Sequence, residues 1–346
     1  MGTYKMYLGD CLKVMKDMPN DSIDSIITDP PYGISFMKNE WDHGVPGKKF
    51  WEEMLRVSKP GSNLFSFGGT KTFHRLMVSI EDAGWEIRDT LMWIYTSGLP
   101  KNMDVSKAVE AQRLFGGSSR KQQRMASMGF TYDDCDTKGT TGKMRSTIGG
   151  TTSNPAGSIN NEWYGWGTAL KPAYEPIILA RKPLIGTIAV NVLQHNTGGI
   201  NIDACMILTA EEIERNNSNN EGRVKGRWPA NIIQDGSDEI KELFQNDEIP
   251  SRFFYTTKAT RHDRDVGVSG KNTHPTVKPT DLMRYICRMS TPKNGTILDP
   301  FAGSGSTGKA AILEGFNFIG IEKDEEFLEI AKARLENSQM EYETKR

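Results

Sequence analysis

Residues 25–33 read Ser-Ile-Ile-Thr-Asp-Pro-Pro-Tyr-Gly, an apolar run followed by two prolines. Its isoleucines have the β-branched character of a strand. Pro30 and Pro31 lack an N–H group and cannot continue a ladder, so the strand is expected to end at Asp29. Ligands of open α/β sheets bind at the carboxyl ends of the strands. The stretch therefore predicts a site that contains Asp29, two freed carbonyl groups and the ring of Tyr32.

A plain turn is the alternative interpretation of this stretch, because Asp, Pro and Gly are ordinary turn residues. Asp-Pro alone is common, whereas Asp-Pro-Pro-Tyr directly after an apolar run is much rarer. A catalytic role therefore requires a matching site elsewhere in the chain.

The composition is that of a globular protein with one large α/β domain and an insert, or with two domains. The 346 residues are 37% hydrophobic and 25% charged, with a net charge of −1. No apolar run approaches the roughly 18 residues that span a bilayer, and the amino terminus lacks a signal-peptide pattern. The four cysteines are far apart, which predicts free thiols in a reducing cytoplasm and no zinc site.

Strand-like and helix-like patterns alternate in the first hundred residues. Strands are expected at 4–8, 64–67 and 86–95, and helices at 50–57 and 71–83. Lys59-Pro60-Gly61 is expected to separate a helix from the next strand. This spacing predicts a parallel sheet with helices on both faces.

Two segments interrupt this alternation, and a core strand at 177–180 lies between them. Residues 98–170 are rich in Gly, Ser, Thr, Lys and Arg, and residues 184–250 are polar. Between Lys101 and Arg145, nine basic residues oppose five acidic ones, a local net charge of +4. A solvated surface is the ordinary explanation of such charge, and DNA contact becomes a hypothesis only if another feature implies DNA.

A glycine-rich stretch near the end of the chain is the second candidate site. Residues 296–308 read Thr-Ile-Leu-Asp-Pro-Phe-Ala-Gly-Ser-Gly-Ser-Thr-Gly, and the next apolar run ends at Glu322. The pattern predicts a strand, a tight turn, a helix and a second strand. Three ligands suit such a turn: a dinucleotide, the phosphates of a nucleotide hydrolase, and S-adenosylmethionine.

The residues around this turn favour S-adenosylmethionine. Asp299 beside Pro300 would repel a pyrophosphate, and Ala310 stands where a phosphate-binding loop has its Mg²⁺-binding hydroxyl. S-adenosylmethionine has no phosphate but carries a sulfonium cation, so acidic neighbours are tolerated. Glu322 can accept hydrogen bonds from ribose hydroxyls, which all three ligands contain. A purely structural turn is the alternative for the glycines alone.

The two stretches together resemble the motifs of the DNA amino-methyltransferases, which methylate the exocyclic nitrogen of adenine or cytosine. Asp29-Pro30-Pro31-Tyr32 resembles their catalytic motif, and residues 299–307 resemble their S-adenosylmethionine loop. The catalytic motif comes first, as in the β-type arrangement of this family, in which the recognition region lies between the two. The arrangement also looks like methylases of bacteriophages and prophages.

This resemblance implies a Rossmann-like, S-adenosylmethionine-dependent methyltransferase fold. Its α/β sheet would be mostly parallel, with helices on both faces, a circularly permuted order and an irregular DNA-recognition insert. The implied divisions are a catalytic half at 1–97, a basic insert in contact with DNA at 98–170, a returning core strand at 171–183, a target-recognition segment at 184–252 and a cofactor-binding half at 253–346.

The resemblance also assigns residues to the cofactor and implies no metal. In the segment Asp10-Cys11-Leu12, Asp10 would accept from the adenine amine, although an aspartate there can equally cap the following helix. Lys278 belongs to a block, residues 274–279, that contacts the methionine end. The remaining cofactor residues are Asp299, Pro300, Phe301, Gly303, Ser304, Gly305, Thr307 and Glu322.

The reaction implied is methyl transfer from S-adenosylmethionine to adenine N6 in duplex DNA after base flipping. The Asp29 carboxylate and the Pro30 carbonyl would accept the two N–H groups of the amine, and Tyr32 would stack on the base. Phe36 or Trp41 would form the opposite wall. Asp rather than Ser at position 29 favours adenine. The alternatives are cytosine N4, RNA methylation and nucleotide hydrolysis.

Double-stranded DNA is the partner that the resemblance implies. The basic stretch at 101–145 and Arg223, Lys225 and Arg227 are expected to contact phosphates. Trp163, Tyr164 and Trp166 would pack the insert or touch the base. β-type relatives are often dimers, so a homodimer in the cytoplasm without a membrane partner is expected. The sequence does not indicate whether a restriction endonuclease partner exists.

Overall fold

The computed structural model describes residues 2–34, 44–98, 102–115, 162–207, 226–243 and 254–344. The chain divides into two units, one formed by Met1–Ser97 with Ala173–Arg346 and the other by Gly98–Pro172. The first unit contains the sheet. The described part of the second unit contains the helix Val105–Phe115 and the loop residues 162–172.

Strands and helices alternate along the first unit, and one helix belongs to the second. The elements up to the end of the second unit are β1 (Tyr4–Leu8), α1 (Cys11–Lys16), β2 (Ile23–Thr28), α2 (Lys48–Val57), β3 (Ser58–Phe67), α3 (Phe73–Asp82), β4 (Glu86–Ile94) and α4 (Val105–Phe115). Those after it are β5 (Tyr174–Arg181), α5 (Ile188–His195), a 3-10 helix (Asp203–Cys205), β6 (Ile232–Gln234), α6 (Asp238–Leu243), β7 (Phe254–Tyr255), α7 (Arg261–Asp265), α8 (Thr280–Ser290), β8 (Thr296–Asp299), α9 (Ser306–Leu313), β9 (Asn317–Glu322) and α10 (Glu325–Thr344).

The nine strands of the described chain form one sheet in the order β1-β9-β8-β2-β3-β5-β4-β6-β7. Neighbouring strands are parallel, except that β5 is antiparallel to both β3 and β4. The predicted Rossmann-like, mostly parallel fold is confirmed, although the alternation of elements had not indicated the direction of β5. Because β5 runs backwards, its amino end lies with the carboxyl ends of the other strands. We call this side of the sheet the carboxyl edge.

Both faces of the sheet are covered, because successive strand residues enter different cores. Ile27 and Phe65 pack with α8 and α9 in one core, and Ile26 and Leu64 pack with α2 and α3 in the other. Alternation of this kind buries a strand on both sides, which explains the continuous apolar runs in the sequence. Because both faces of the strands are packed, the residues that follow them at the carboxyl edge have well-defined positions.

The start of β3 differs from the prediction. Lys59-Pro60-Gly61 was expected to separate a helix from a strand at 64–67, whereas β3 already begins at Ser58. The register with β2 shifts there, from Ile23 opposite Ser58 to Ser25 opposite Asn63. A bulge places the residues without a regular partner outside the ladder, which is how a strand tolerates proline.

Part of the segment expected to recognise the target lies in the sheet. β6 pairs with β4, from Met92 opposite Ile232 to Ile94 opposite Gln234. Cys11, Cys205 and Cys287 are free thiols, as predicted, and Cys135 lies outside the described residues. Among the helices that the structure describes, none is both long and apolar enough to cross a membrane.

Candidate active site

The two candidate stretches meet at the centre of the sheet, although 271 positions separate Thr28 from Asp299. β2 and β8 are parallel neighbours, with Ser25 opposite Ile297. At the carboxyl edge, the buried Thr28 hydroxyl donates to Asp299 Oδ1 at 2.7 Å. Asp29, the next residue along β2, therefore stands beside the start of the glycine-rich turn.

Asp29 is the centre of a hydrogen-bonded group that we call the Asp29 cluster: Asp29, Tyr32, Glu175 and Lys278. The Tyr32 hydroxyl donates to Asp29 Oδ1 at 2.8 Å, and the Lys278 ammonium pairs with Asp29 Oδ2 at 2.5 Å. Lys278 also lies 3.3 Å from Glu175 Oε2. The cluster therefore contains two carboxylates and one ammonium, with a net charge of −1 when all three are ionised.

Burial and neighbouring charges shift the pKa values in this cluster. Burial raises the pKa of Asp29; the ammonium of Lys278 opposes this shift and the carboxylate of Glu175 reinforces it. Burial lowers the pKa of Lys278, but Asp29 and Glu175 outweigh it, and the net shift is upward. Lys278 is only 8% exposed and still keeps its charge because it has two carboxylate partners.

Tyr32 is fixed at its backbone as well as at its hydroxyl. The Thr72 hydroxyl donates to the Tyr32 carbonyl oxygen at 2.6 Å. A side chain at Gly69 would meet the Tyr32 ring at 3.2 Å, so the glycine lets the chain after β3 pass close to it. The ring is thus held beside the Asp29 carboxylate.

Glu175 was not among the predicted site residues. It lies near the amino end of β5, opposite Trp93 of β4. The segment containing it was predicted as a returning core strand, at 171–183, and the position of Glu175 in the site depends on the antiparallel direction of β5. A carboxylate at the start of a strand becomes a site residue only when that strand runs backwards in the sheet.

The glycine turn, residues 300–305, is shaped by left-handed backbone at Gly303 and Gly305, with φ of 51° and 76°. A side chain at Gly303 would come within 2.8 Å of the His274 ring, and one at Gly305 within 2.8 Å of Leu335. Burial lowers the pKa of His274 to about 4, so this neighbour of the turn is uncharged near neutral pH. Glycine is required at both positions for backbone conformation and for space.

Two carboxylates, those of Asp299 and Glu322, accept hydrogen bonds from backbone N–H groups of the turn. Asp299 is 2% exposed and accepts hydrogen bonds from Thr28, from Thr307 Oγ1 at 2.6 Å and from the Phe301 N–H at 3.1 Å. Glu322 accepts from three backbone N–H groups, those of Gly303, Lys323 and Asp324, at 2.7–2.8 Å. Burial raises the pKa of Asp299 to about 6. Ser304, another of the predicted cofactor residues, is buried as well.

Asp10, Cys11 and Leu12 lie next to Glu322. β1 is paired with β9, and the Gly9 N–H donates to the Glu322 carbonyl oxygen at 2.8 Å. The Asp10 carboxylate caps α1 by accepting from the Lys13 N–H at 3.2 Å, while the residue itself stays exposed. Cys11 is buried. The capping interpretation of Asp10 is therefore correct, and its exposure leaves a ligand role open.

Lys309 does not face the glycine turn, as the lysine of a phosphate-binding loop would. It is 5% exposed, and its ammonium pairs with Asp263 Oδ1 at 2.7 Å. Arg334 of α10, which is fully buried, donates to the Ser304 carbonyl oxygen at 2.5 Å and to the Asp263 carbonyl oxygen at 3.2 Å. Arg334 thus connects the turn to α7 and α10. Because the Lys309 ammonium is paired with Asp263, it is not directed at a phosphate in the turn, which speaks against a phosphate-binding loop.

The residues present fit S-adenosylmethionine. Glu322 and Asp10 place carboxylates at the ends of adjacent strands, where they can accept from ribose hydroxyls and an adenine amine. The turn also adjoins Asp29 through Thr28 and Asp299. A methyl donor and a methyl acceptor can therefore be bound side by side.

Comparison with known proteins gives a consistent result. The family model described as DNA methylase matches residues 23–333. Type II methyltransferase M.HinfI of Haemophilus influenzae is 38% identical over 348 residues, which cover 94% of this chain and 67% of the relative. M.HindIII of the same species, also a Type II methyltransferase, is 25% identical over 376 residues, covering 95% and 94%.

A solved structure shares the fold. The PvuII DNA methyltransferase (cytosine-N4-specific) has a TM-score of 0.50 and 14% identity, covering 99% of this chain and 92% of that chain. At this identity the likeness concerns the fold alone. The family match, however, spans both candidate stretches and nearly the whole sheet. The chain belongs to the DNA methylase family and is an S-adenosylmethionine-dependent DNA methyltransferase.

Proposed function

We propose that this DNA methylase transfers the methyl group to N6 of adenine in duplex DNA, with Asp29, Pro30, Pro31 and Tyr32 as its catalytic motif. The observation that carries the proposal is the position of the Asp29 carboxylate beside the glycine turn, through the Thr28–Asp299 hydrogen bond of 2.7 Å. Aspartate rather than serine at position 29 supports adenine as the target. Cytosine N4 is the alternative outcome of the test below.

Asp29 activates the amine by accepting a hydrogen bond from one of its N–H groups. An exocyclic amine is a weak nucleophile because its lone pair is delocalised into the ring. When Asp29 Oδ1 and the Pro30 carbonyl oxygen accept its N–H groups, the lone pair is localised and can attack the methyl carbon. S-adenosylmethionine, when bound, supplies a methyl group made electrophilic by the sulfonium charge. Burial raises the pKa of Asp29, which suits it to take the proton released after transfer.

Tyr32 stacks on the target base in this proposal. Extruding a base from the duplex costs a few kcal/mol, and stacking on an aromatic ring returns about 1–3 kcal/mol. The backbone bond from Thr72 to Tyr32 keeps the ring in place for this contact. Phe36 and Trp41, the predicted opposite wall, lie outside the described residues.

The cofactor residues divide into those that contact it and those that support the turn. Asp10, Cys11, Leu12 and Glu322 take the adenosine end. Pro300, Phe301, Gly303, Ser304 and Gly305 form the turn over which the methionine part lies. Asp299 and Thr307 hold that turn from below, because their polar atoms already bond each other. Lys278, predicted to contact the methionine end, is assigned to Asp29 on the strength of its 2.5 Å pair.

DNA contact by the basic insert is part of the proposal. Lys107 and Arg113 of α4 belong to the basic stretch, whereas residues 116–145, together with Arg223 and Lys225, lie outside the described residues. Trp163 and Trp166 form an edge-to-face pair with ring centroids 5.3 Å apart, and Trp166 is 60% exposed. The homodimer, the cytoplasmic location and the likeness to phage methylases stay predictions.

The product identifies the target atom. Duplex DNA is methylated with the purified protein, digested to nucleosides and analysed by mass spectrometry. We expect N6-methyladenine; N4-methylcytosine alone would overturn the adenine proposal. Modification-sensitive sequencing of the same DNA then gives the recognition sequence, and parallel RNA and protein substrates serve as controls.

A further inference from the structure

We propose that Glu175 is a positioning residue of methyl transfer: it shares the ammonium of Lys278 and accepts the Tyr32 hydroxyl when the target amine binds Asp29. This inference rests on the proposed role of Asp29 as the acceptor for the amine. It concerns a residue that neither the sequence motifs nor the family match assigns.

The first step concerns the acceptor sites of Asp29. Tyr32 donates to Oδ1 at 2.8 Å and Lys278 donates to Oδ2 at 2.5 Å, so both oxygens already have a partner. A carboxylate oxygen can accept a second hydrogen bond, as Asp299 Oδ1 does, but the target amine then shares the oxygen with a competing donor. Of the two partners, Tyr32 is the easier to redirect, because its hydroxyl is neutral and carries a single proton.

Glu175 is a second acceptor for the Tyr32 hydroxyl proton, and reaching it requires no movement of the Tyr32 ring. The Tyr32 hydroxyl oxygen lies 3.1 Å from Glu175 Oε2 as well as 2.8 Å from Asp29 Oδ1. Both distances are within hydrogen-bond range, so rotation of the O–H bond alone moves the proton from one carboxylate to the other. Oδ1 of Asp29 is then free for the amine while the Tyr32 ring stays where it is.

The second step concerns charge. Lys278 donates to Asp29 at 2.5 Å and to the Tyr32 hydroxyl oxygen at 3.3 Å, and Glu175 Oε2 also lies 3.3 Å from it. With Glu175 ionised, the cluster keeps one excess negative charge, which polarises the bound amine. Without it, Asp29 and Lys278 would form a neutral pair, and Asp29 would be a weaker acceptor.

Glu175 is held well enough for this role. Its backbone is opposite Trp93 in the β4–β5 ladder, and the neighbouring Pro176 carbonyl oxygen accepts from the Gly68 N–H at 3.0 Å. β5 is thus fixed from both sides at the carboxyl edge. Residues on such strands keep the geometry that a catalytic group requires.

Other charged and titratable groups also face this cluster and enter any pH profile. Asp29 lies across the β2–β8 pair from Asp299, and the Tyr95 hydroxyl forms a hydrogen bond with Glu175. The Lys258 ammonium interacts electrostatically with Glu175 and lies 3.6 Å from the centroid of the Tyr95 ring. Substitution of Glu175 also lowers the pKa of Tyr95 and of Lys258, because the Glu175 carboxylate raises both. The acid limb of the profile is therefore the part to compare, since it follows the Asp29 carboxylate rather than a phenol or an ammonium.

The test is Glu175→Gln, with Glu86→Gln as the matched control. Glu86 lies at the other end of the same strand pair and forms an ion pair with Arg181 at 2.6 Å, so its substitution also removes one carboxylate from β4–β5. Single-turnover methyl transfer is measured against pH, and donor and DNA affinities are measured separately. Glu175→Asp, which keeps the charge, provides a second variant if Glu175→Gln folds poorly.

We expect Glu175→Gln to lower the single-turnover rate by roughly tenfold to a hundredfold. The acid limb of its profile should move to lower pH, because the Glu175 carboxylate raises the pKa of Asp29. Donor and DNA affinities should stay within about twofold, Glu175→Asp should recover part of the rate, and Glu86→Gln should match wild type.

Other results would overturn the inference. They are an unchanged rate, a lower rate with an unmoved acid limb, or loss of activity that only follows loss of donor binding. Asp29→Asn, assayed in parallel, separates this inference from the proposed function. If Asp29→Asn is inactive while Glu175→Gln behaves as wild type, only the role of Glu175 fails; if Asp29→Asn is fully active, the proposed mechanism itself fails.

Discussion

Asp299 and Asp29 follow neighbouring parallel strands, yet their carboxylates meet different kinds of hydrogen-bond donor. Asp299 accepts from two threonine hydroxyls and one backbone N–H, and Glu322 beyond it accepts from three backbone N–H groups. Asp29 and Glu175 instead share the phenol of Tyr32 and the ammonium of Lys278. On the proposed cofactor side, four of the six donors are backbone N–H groups, whereas on the proposed catalytic side both donors belong to side chains.

This difference matches the two tasks of the site. A cofactor turn must keep one shape between turnovers, and backbone donors, which cannot rotate away, provide that. A catalytic carboxylate must release one partner and accept another within a turnover. Donors on side chains allow this exchange without a change in the fold. The substitutions below test whether the two sides can be disturbed separately.

The largest expected effect comes from Asp29→Asn, which should break the catalytic side alone. An amide is a poor proton acceptor, so methyl transfer should fall by about a thousandfold or more. Donor affinity, measured by calorimetry, should be unchanged. Asp24→Asn is the matched control, since Asp24 forms a lysine pair at 2.6 Å at the other end of β2. A loss of donor binding in Asp29→Asn would contradict the separation.

Arg334→Met should weaken binding of the methyl donor without lowering the rate of methyl transfer. The substitution removes the bond to the Ser304 carbonyl oxygen and leaves that group without its buried partner. We expect donor affinity to fall by about tenfold to a hundredfold, since a hydrogen bond to a charged group contributes about 1.5–3 kcal/mol. The rate at saturating donor should be retained. Lys332→Met on the same helix, at an exposed ion pair, is the control; equal losses in both variants would refute the assignment.

Asp299 should give the cofactor side a pH-dependent stability. Its pKa in the folded protein, about 6, lies above the ordinary value of 3.8, so the folded state binds the proton more tightly. Ionisation therefore costs stability as the pH rises, and stability returns as the pH falls from about 7 to 5. Against Asp299→Asn, wild type should gain on the order of 1–3 kcal/mol over that range in denaturant titrations. Parallel curves for the two proteins would contradict this.

The smallest expected effect is that of Tyr32→Phe. The ring remains for stacking, and the lost hydroxyl only occupied Asp29 Oδ1 before the amine arrived. We expect the single-turnover rate to change by less than about tenfold, since a neutral hydrogen bond contributes about 1 kcal/mol. Tyr32→Ala, which removes the ring as well, should be much slower. A loss as large as that of Asp29→Asn would show that the phenol is not exchanged but required.

The sequence predicted the features that depend on local rules. Two prolines had to end β2 at the carboxyl edge, and the glycines at 303 and 305 had to form a turn with left-handed backbone. Both patterns act within a few residues, so the end of β2 and the turn could be placed in a parallel sheet without knowledge of distant contacts. The adjacency of Asp29 and the turn was implied only by the resemblance to the amino-methyltransferases.

Features that depend on distant partners could not be predicted. Nothing within residues 171–183 specifies that β5 runs antiparallel, so Glu175 did not stand out. Arg334 shares its helix with one other cation, Lys332, which is only half-buried, whereas the complete burial of Arg334 depends on Ser304 and Asp263, far away in the chain. Lys309 stands at the lysine position of a phosphate-binding loop, and the sequence does not show that Asp263 is its partner.

The reversed strand has one more consequence, for how the target sequence of such an enzyme can change. The Tyr95 N–H donates to the Ala173 carbonyl oxygen at 2.9 Å, so the chain leaves the sheet after β4 and rejoins it at β5 a single hydrogen bond away. A loop closed so tightly can be lengthened, shortened or exchanged with little effect on the register of its flanking strands. If residues 98–172 contact DNA as proposed, exchanging this segment is expected to change the DNA sequence that is recognised while the sheet stays as it is.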